Sequence, residues 1–231
     1  MPNSLSQNKP VPSDVLLLVD KPVGMTSFGV VARLRRRLAD QLGKKRVKVG
    51  HAGTLDPFAS GLMLILTGKM CSQAQSLLKH NKSYQATLVL GWQTPTLDPE
   101  GKLTRVARFQ PSEQQISTVL SSFVGKIMQV PPDFSALKIN GRRAYDLARQ
   151  GQAVDLPARP VEIYEIELIN YCYPLVEFRV NVSSGTYIRS LVRDLGARLG
   201  TGAFCVALRR LSIGEYKIDA AAQLSDFGIV D

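Results

Sequence analysis

Short apolar runs with the patterning of β-strands recur along the chain, and they limit its fold more than any other feature. The run "VLLLV" at Val15–Val19 is too short to span a membrane and is typical of a buried strand. Two longer β-branched runs cover 161–172 and 175–182. A further run, "SYQATLVLG", alternates as a half-buried strand does and places on one face Tyr84, Ala86, Leu88 and Leu90.

Helical patterns interrupt these runs at irregular intervals. Apolar residues recur at helical spacing from Phe28 to Leu42, where Ser27 is placed to cap the helix, and again after Gly185. Neither the alternation of a doubly wound sheet nor a barrel repeat is visible. The sequence therefore predicts an α+β fold in which helices flank a large mixed or antiparallel sheet. Residues 14–231 are expected to form one domain, preceded by a disordered polar tail at 1–13.

The charge balance indicates the kind of partner. The chain carries 29 Lys and Arg against 19 Asp and Glu, a net charge of +10. Such an excess attracts polyanions, so nucleic acid is the leading partner, with anionic lipid or plain solubility as alternatives. Three cysteines far apart, without CxxC spacing, indicate a reducing compartment, and a total of two histidines argues against a zinc site. The sequence thus predicts a cytoplasmic protein without a metal.

One basic segment, residues 130–151, stands out between the strand-like runs. Pro131-Pro132 interrupts regular structure, Asn140-Gly141 predicts a hairpin turn, and "RRAYDLARQG" predicts a short helix that ends at Gly151. We expect an inserted arm that lies on a polyanionic substrate. Its cations are Lys138, Arg142, Arg143 and Arg149.

The glycine-rich stretch "VGHAGTLDPFASG" contains a candidate for chemistry, Asp56. Pro57 favours an extended backbone at Asp56, and the surrounding glycines allow another chain or a ligand to approach closely. Asp-Pro is also a common turn dipeptide, so a purely structural turn is the competing interpretation. The local sequence does not decide between a turn residue and a carboxylate presented in a cleft.

Four further side chains each have a structural and a functional interpretation. Arg189 is either a solvated helix residue or a guanidinium that holds a carboxylate in its ionised form. Tyr84 and Tyr187 are either core aromatics or platforms on which an unstacked RNA base packs. His51, next to glycines, is either a loop residue or part of the same site.

Five segments in order resemble the TruB-type tRNA pseudouridine synthases over roughly Val15 to Ile218. They are "KPVGMTS" from Lys21, "GHAGTLDPFASGLM" from Gly50, "KSYQATLVLG" from Lys82, "VPPDFSALKINGRRAYDLAR" from Val130 and "SSGTYIRSLVRDLG" from Ser183. The resemblance implies a single pseudouridine synthase domain that flips out one uridine, usually position 55 in the T-loop of tRNA. Such an enzyme breaks the C1′–N1 bond and rejoins the base at C5. The resemblance implies no cofactor and no metal, and it implies tRNA, through its T-arm, as the partner of a monomer.

The same resemblance assigns roles to residues. The essential catalytic aspartate falls on Asp56, with Arg189 as the arginine that pairs with it. Tyr84 corresponds to the base-stacking tyrosine, and His51 to the histidine that helps to displace the target base. Residues expected to bind the substrate are therefore His51, Tyr84, Tyr187, Arg189 and Leu208. Lys21 and the cations of the arm are expected to contact RNA.

The chain departs from the family pattern at three places. It stops soon after the last resembling strand, so the usual C-terminal PUA domain is expected to be absent and tRNA binding to depend more on the arm. Asn81 stands where the family commonly has aspartate, and Pro95 replaces an aspartate, with Asp98 nearby. Two other functions stay open. One is a tRNA-folding chaperone whose isomerase activity is secondary, and the other is an aspartate-nucleophile hydrolase, for which no second carboxylate or metal is evident.

Overall fold

The computed structural model describes residues 9–229 except 136, 140 and 153, and at 138, 139 and 143 it describes the backbone alone. The chain forms two compact units. Unit 1 is built from two distant segments, one up to His80 and one from Arg209 onwards, and unit 2 is the intervening Asn81–Leu208. The expectation of one domain over 14–231 stays a prediction.

Strands and helices alternate irregularly along the described part of the chain. The fourteen strands found there are β1 Leu16–Lys21, β2 Val49–His51, β3 Ser60–Thr67, β4 Lys82–Leu90, β5 Trp92–Gln93, β6 Thr104–Arg105, β7 Gly125–Gln129, β8 Lys138–Ile139, β9 Arg142–Arg143, β10 Arg159–Cys172, β11 Leu175–Val182, β12 Ala203–Ile213, β13 Tyr216–Lys217 and β14 Ala222–Gln223. The α-helices are α1 Ser27–Leu42, α2 Ala74–Leu78, α3 Glu113–Ser121, α4 Ala144–Arg149 and α5 Ile188–Arg198. Short 3₁₀ segments cover Gly68–Gln73, Ile218–Ala220 and Leu224–Phe227.

In unit 1 a mixed sheet carries the core. Strand β1 lies between β14, which is parallel to it, and β3, which is antiparallel to it. Strand β3 also pairs with β2 and, in parallel, with Arg209-Arg210 of β12. The apolar run from Leu62 to Leu66 is the fully buried centre of β3. A strand buried on both faces requires such a continuous apolar run.

Unit 2 contains an antiparallel sheet in the order β4-β11-β10-β7. The two long β-branched runs are β10 and β11, and they pair along most of their length. The alternation predicted for β4 is confirmed, because the residues that it places on one face are all buried: Tyr84, Ala86, Leu88 and Leu90. The mixed strand pairing of unit 1 and the antiparallel pairing of unit 2, each accompanied by helices, confirm the predicted α+β class.

Helix α1 is capped by Thr26, so the expectation that Ser27 caps it is wrong. Thr26 Oγ1 accepts a hydrogen bond from Gly29 N at 2.9 Å, and Gly43 ends the helix in the left-handed conformation, with φ of 60°. Ser27 is the first helical residue, and its hydroxyl is engaged elsewhere, by Leu55. The predicted apolar spacing is confirmed by the burial of Val30, Val31, Leu34 and Leu38.

The basic segment 130–151 of unit 2 contains a hairpin followed by a helix. Strands β8 and β9 pair antiparallel on either side of the turn, in which Gly141 has φ of 83°. Asn140 lies outside the described residues. Helix α4 follows, and beyond it Gly151 has φ of 70°. The hairpin and the short helix are thus confirmed, whereas contact between this segment and RNA stays a prediction.

The predicted N-terminal tail is described only from residue 9, where the chain contacts the rest of unit 1. Val11 is buried and its amide donates to Gln41 Oε1 at 2.9 Å, while Lys9 N donates to Asp226 O at 2.7 Å. The expectation of disorder at 1–8 falls outside the described residues. No helix in the described ranges is long and apolar enough to cross a bilayer.

Candidate active site

In unit 1, Asp56 lies on the loop that joins β2 to β3, residues 52–59, here called the aspartate loop. The side chain of Asp56 is half-buried. Its backbone carbonyl accepts a hydrogen bond from Ala59 N at 3.2 Å, which closes a tight turn over Pro57. The turn expected for Asp-Pro is therefore present, and the carboxylate stands at its start.

The residue before Asp56 is fixed by a buried serine. Ser27 Oγ accepts a hydrogen bond from Leu55 N at 2.8 Å and donates one to Leu55 O at 2.9 Å. A single hydroxyl thus satisfies both backbone groups of Leu55, and both residues are buried. Because these bonds are shielded from water, they restrict the backbone that immediately precedes the carboxylate.

The residue after Asp56 is fixed by the segment "KPVGMTS". Pro57 O accepts hydrogen bonds from Gly24 N at 2.8 Å and from Lys21 Nζ at 3.3 Å. Lys21 Nζ also donates to Pro22 O at 2.7 Å and to Met25 O at 2.6 Å. The lysine is completely buried. In this structure its ammonium therefore contacts loop carbonyls. The expected contact of Lys21 with RNA stays a prediction.

The ammonium of Lys21 also interacts electrostatically with Asp56. Burial lowers the pKa of Lys21 from its ordinary 10.5 to about 8, and the negative charge of Asp56 opposes that shift. At neutral pH the amine therefore still holds its proton. Because charge interactions act in both directions, the Lys21 ammonium favours the ionised form of Asp56.

A buried arginine holds the start of the aspartate loop. Arg210 on β12 is 1% exposed, and its guanidinium donates to Gly53 O at 3.1 Å, Thr54 O at 3.4 Å and Leu62 O at 2.7 Å. Strands β3 and β12 approach so closely that a Cβ at Gly61, where φ is +106°, would lie 2.6 Å from Arg210 N. One cation thus ties the loop and the following strand to β12.

His51 is the last residue of β2, directly before the aspartate loop. Burial lowers the pKa of His51, and the positive charge of Arg210 lowers that pKa further. The ring is therefore neutral at pH 7. Its Nδ1 has no hydrogen-bond partner within the described ranges. A neutral, half-buried imidazole suits contact with an uncharged base better than contact with a phosphate.

In unit 2, Arg189 is buried, which excludes the interpretation as a solvated helix residue. It lies in the first turn of α5 and is 4% exposed. Its Nη1 lies 3.2 Å from Asp98 Oδ2, and the guanidinium also donates to Thr96 O and Phe134 O, each at 2.8 Å. The predicted pairing of Arg189 with Asp56 stays a prediction.

Asp98 is the observed ion-pair partner of Arg189, and sequence reasoning did not select it as a site residue. Besides the ion pair with Arg189, its carboxylate accepts hydrogen bonds from Thr96 Oγ1 at 2.6 Å and from Glu100 N at 3.1 Å. A sequence signal was available, because the tetrapeptide "TLDP" of the aspartate loop recurs at 96–99. Asp98 thereby keeps the guanidinium of Arg189 in a fixed orientation.

Tyr187 is positioned by Gln129, which sequence reasoning did not select. Gln129 Oε1 accepts a hydrogen bond from Tyr187 N at 2.8 Å, and Gln129 Nε2 donates to Tyr187 O at 3.1 Å. The glutamine is buried and Tyr187 is half-buried at the start of α5. Tyr84 on β4 and Leu208 on β12 are both buried.

Two of the four arm cations, Arg142 and Arg149, have described side chains, and both are exposed. Arg142 donates to Gln150 Oε1 at 2.7 Å, and the guanidinium carbon of Arg149 lies 4.5 Å from the centre of the Tyr145 ring. The side chains of Lys138 and Arg143 lie outside the described residues. Among the His, Cys, Asp and Glu residues that are described, no three cluster as metal ligands would.

Each unit therefore carries part of the predicted set. Unit 1 brings together Asp56, Lys21 and His51 on one framework that Arg210 braces, and unit 2 carries the remaining predicted residues, Tyr84, Tyr187, Arg189 and Leu208. In unit 1 a rigid loop presents a single carboxylate near a buried ammonium. Such a carboxylate can act as a nucleophile or as a general base.

Comparison with known proteins identifies the family. The model of the TruB family pseudouridylate synthase (N terminal domain) matches residues 37–188. The chain is 43% identical over 216 residues to tRNA pseudouridine synthase B of Phocaeicola vulgatus, covering 92% of this chain and 91% of that protein. The protein of the same name from Parabacteroides distasonis is 42% identical over 219 residues, with 92% of each covered. The chain belongs to the TruB family of pseudouridylate synthases, as its five segments predicted.

A solved structure supports the same fold. The chain is similar to one in the crystal structure of a Cbf5-Nop10-Gar1 complex, with a TM-score of 0.68 and 30% sequence identity. The similarity covers 94% of this chain and 54% of that chain, so this chain spans about half the length of that relative. The predicted pseudouridine-synthase-like fold is thereby confirmed.

Proposed function

We propose that this chain converts the uridine at position 55, in the T-loop of tRNA, into pseudouridine. The reaction is an isomerisation: the C1′–N1 bond breaks, the base turns over, and a C1′–C5 bond forms. The C5 proton leaves and N1 gains a proton, so atoms balance without a co-reactant. Two relatives named tRNA pseudouridine synthase B, at 43% and 42% identity over nine tenths of their length, support this proposal.

The observation that carries the proposal is the construction of the aspartate loop. Ser27 fixes the residue before Asp56, Lys21 fixes the residue after it, and Arg210 braces the start of the loop. We assign Asp56 as the catalytic residue, acting either by addition to C1′ or by removal of the 2′ proton. Both routes need an ionised carboxylate at the same place, and the Lys21 ammonium favours that form.

The other predicted residues would bind the flipped base. Extruding a nucleotide from a folded RNA loop costs a few kcal/mol, which binding in the pocket has to offset. In this proposal Tyr84 stacks on the base, His51 occupies the space that the base leaves, and Arg189 holds Asp56. Tyr187, fixed by Gln129, and Leu208 complete the pocket walls.

The basic arm supplies the long-range part of binding. Phosphate contacts from Lys138, Arg142, Arg143 and Arg149 would make the affinity for tRNA fall steeply as salt increases. Such an enzyme would act as a monomer in the cytoplasm, where its substrate is. A tRNA-folding chaperone would use the same cations, and the catalytic aspartate distinguishes the two functions.

The test is a direct product assay. The purified protein is incubated, without added metal, with an unmodified tRNA transcript or with its T-arm stem-loop. Pseudouridine is then mapped by a carbodiimide adduct that stops primer extension. A stop at the T-loop uridine is expected with both RNAs, and absence of a stop there from both would overturn the proposal. A chaperone without this chemistry would bind both RNAs and give no stop.

A further inference from the structure

In unit 1, two apolar side chains are exposed to solvent. They flank the segment whose residues hydrogen-bond to the aspartate loop. Val23 and Phe28 are each 66% exposed. The residue after Val23 donates its amide to Pro57 O, and the residue before Phe28 holds both backbone groups of Leu55. The exposed pair is therefore anchored to the loop positions that immediately flank Asp56.

Two arginines of α1 lie close to residues of this segment. The guanidinium carbon of Arg35 lies 5.7 Å from the centre of the Phe28 ring. Arg33 Nη1 lies over Gly29, the residue after Phe28, at 3.4 Å from the position that a Cβ would take. Among the ion pairs within the described part of the chain, none involves Arg33 or Arg35. Both positive charges are thus available to an anion.

An exposed ring with a guanidinium beside it is a surface that suits a nucleotide. Stacking of a base on an aromatic side chain contributes about 1–3 kcal/mol, and arginine binds phosphate through paired N–H donors. Isolated exposed apolar residues are ordinary on a protein surface. Here, however, an exposed ring has one available cation beside it, a second available cation lies at the next residue, and the segment is bonded to the proposed catalytic loop.

We propose that Val23, Phe28, Arg33 and Arg35, here called the α1 platform, bind an unpaired nucleotide next to the flipped uridine. The Phe28 ring stacks on the base of that nucleotide, and the two guanidinium groups hold phosphates of the same RNA segment. This inference rests on the proposed function, because it places an RNA loop at Asp56. It assigns to unit 1 a contact with the substrate loop that is distinct from the base pocket and from the arm.

The platform touches no reacting atom, so its contribution is the same in the ground state and in the transition state. Loss of such uniform binding raises KM and leaves kcat unchanged. This signature separates the platform from the residues that act on the uridine. Replacement of Phe28 by Leu keeps an apolar side chain and removes the ring, and the exposed position makes misfolding avoidable.

The first measurement is steady-state kinetics on the T-arm stem-loop. Phe28→Leu is expected to raise KM by roughly 5- to 160-fold, the equivalent of one lost stacking contact, with kcat within about twofold of the wild type. The matched control is Leu42→Ala, since Leu42 is an exposed apolar residue, 43% exposed, at the other end of α1. The control is expected to leave both parameters unchanged.

The second measurement identifies the nucleotide by direct binding, which does not depend on turnover. A set of stem-loops, each lacking one loop base, is titrated with the wild type and with Phe28→Leu. At the contact position the missing base should weaken binding to the wild type but not to the variant, whereas at other positions the two effects should add. Arg33→Gln and Arg35→Gln should each reduce the slope of log affinity against log salt by about 1.

The two ideas fail in different ways. An active wild type with an unchanged KM for Phe28→Leu, or the absence of coupling at every loop position, would overturn the platform and leave the proposed function standing. An equal effect of Phe28→Leu on a blunt RNA duplex would also overturn it, because a duplex offers no unpaired base. If the wild-type protein shows this coupling but forms no pseudouridine, the result would support the α1 platform and overturn the proposed function.

Discussion

The tetrapeptide Thr-Leu-Asp-Pro occurs twice in this chain, at 54–57 in unit 1 and at 96–99 in unit 2. In the first copy Leu55 is buried and Asp56 is half-buried, while in the second copy Leu97 is half-buried and Asp98 is buried. Leu97 has φ of 62°, the left-handed conformation that non-glycine residues rarely adopt. Identical residues thus turn their carboxylates into different surroundings.

The difference arises from partners that lie far away in the sequence. In the first copy, Ser27 and Arg210 form hydrogen bonds with the backbone. These bonds do not involve the carboxylate of Asp56. In the second copy the carboxylate itself is engaged, by Arg189, by a threonine hydroxyl and by a backbone amide. A short motif therefore does not determine the surroundings of its aspartate, because partners far away in the sequence determine them.

The largest expected effect separates the two aspartates by activity. Asp56→Asn should lower kcat by at least about 10³-fold, because the amide cannot act as a nucleophile or a base. Binding of tRNA should stay within about threefold of the wild type. Single-turnover formation of pseudouridine and filter binding measure the two quantities. Retention of a tenth of the wild-type rate would remove Asp56 from the mechanism.

The second-largest expected effect distinguishes the two aspartates by their contribution to the free energy of unfolding. Asp98→Asn removes the carboxylate that lies 3.2 Å from Arg189 Nη1, and breaking one side of a buried ion pair costs about 3–5 kcal/mol. Urea denaturation should show this loss in the free energy of unfolding. Asp194→Asn is the matched control, because the Arg193–Asp194 pair is about 30% exposed and should contribute less than about 1 kcal/mol. Equal losses in the two variants would contradict the assignment.

Lys21 should make both the free energy of unfolding and kcat/KM depend on pH. Its pKa is about 8 in the folded chain and 10.5 when unperturbed, so between these values the unfolded chain binds more protons. The free energy of unfolding should therefore rise with pH in this window, by up to about 3 kcal/mol. Over the same window the ammonium near Asp56 loses its charge, so kcat/KM should fall.

Lys21→Met is the comparison for this pH prediction. The variant lacks the titrating amine, so the difference in unfolding free energy between wild type and variant should change from pH 7.5 to pH 10 as described. Urea unfolding and initial rates at a series of pH values measure both trends. A difference between the two proteins that is flat with pH would show that Lys21 does not titrate in this range.

The smallest expected effect concerns the two hydrogen bonds between Ser27 and the backbone of Leu55. Ser27→Ala leaves the buried N–H and C=O of Leu55 without their hydroxyl, which costs about 1–3 kcal/mol of stability. Because the backbone before Asp56 is then less restricted, kcat should fall by about tenfold with KM nearly unchanged. Ser112→Ala is the control: it removes the exposed cap of α3 and costs about 1 kcal/mol. Equal kcat values for the two variants would show that the hydrogen bonds between Ser27 and Leu55 do not position Asp56.

Periodicity was sufficient to predict much of the fold. The alternation in β4, the apolar spacing of α1 and the hairpin and helix of the arm are local patterns, and the structure shows each of them. The five resembling segments were sufficient to predict the family. Both successes rest on information contained within short stretches of the chain.

The contacts that build the site were not predictable in this way. Ser27 and Leu55 are 28 residues apart, Gln129 and Tyr187 are 58 apart, and nothing near any of them indicates the partner. Arg189 was judged by the ordinary behaviour of arginine on a helix, and its burial depends on acceptors about 90 residues earlier. Tertiary context, which propensity does not contain, decides these cases.

The bond from Arg210 to Gly53 joins residues that are 157 positions apart. A ribosome that adds about 5–20 residues per second needs roughly 8 to 30 s to cover that distance. During this interval unit 2, a continuous segment, can complete its sheet, while the aspartate loop still lacks the strand that braces it. We therefore expect the loop that carries the proposed catalytic residue to become fully ordered late in synthesis. A nascent chain is expected to gain activity only after β12 has emerged.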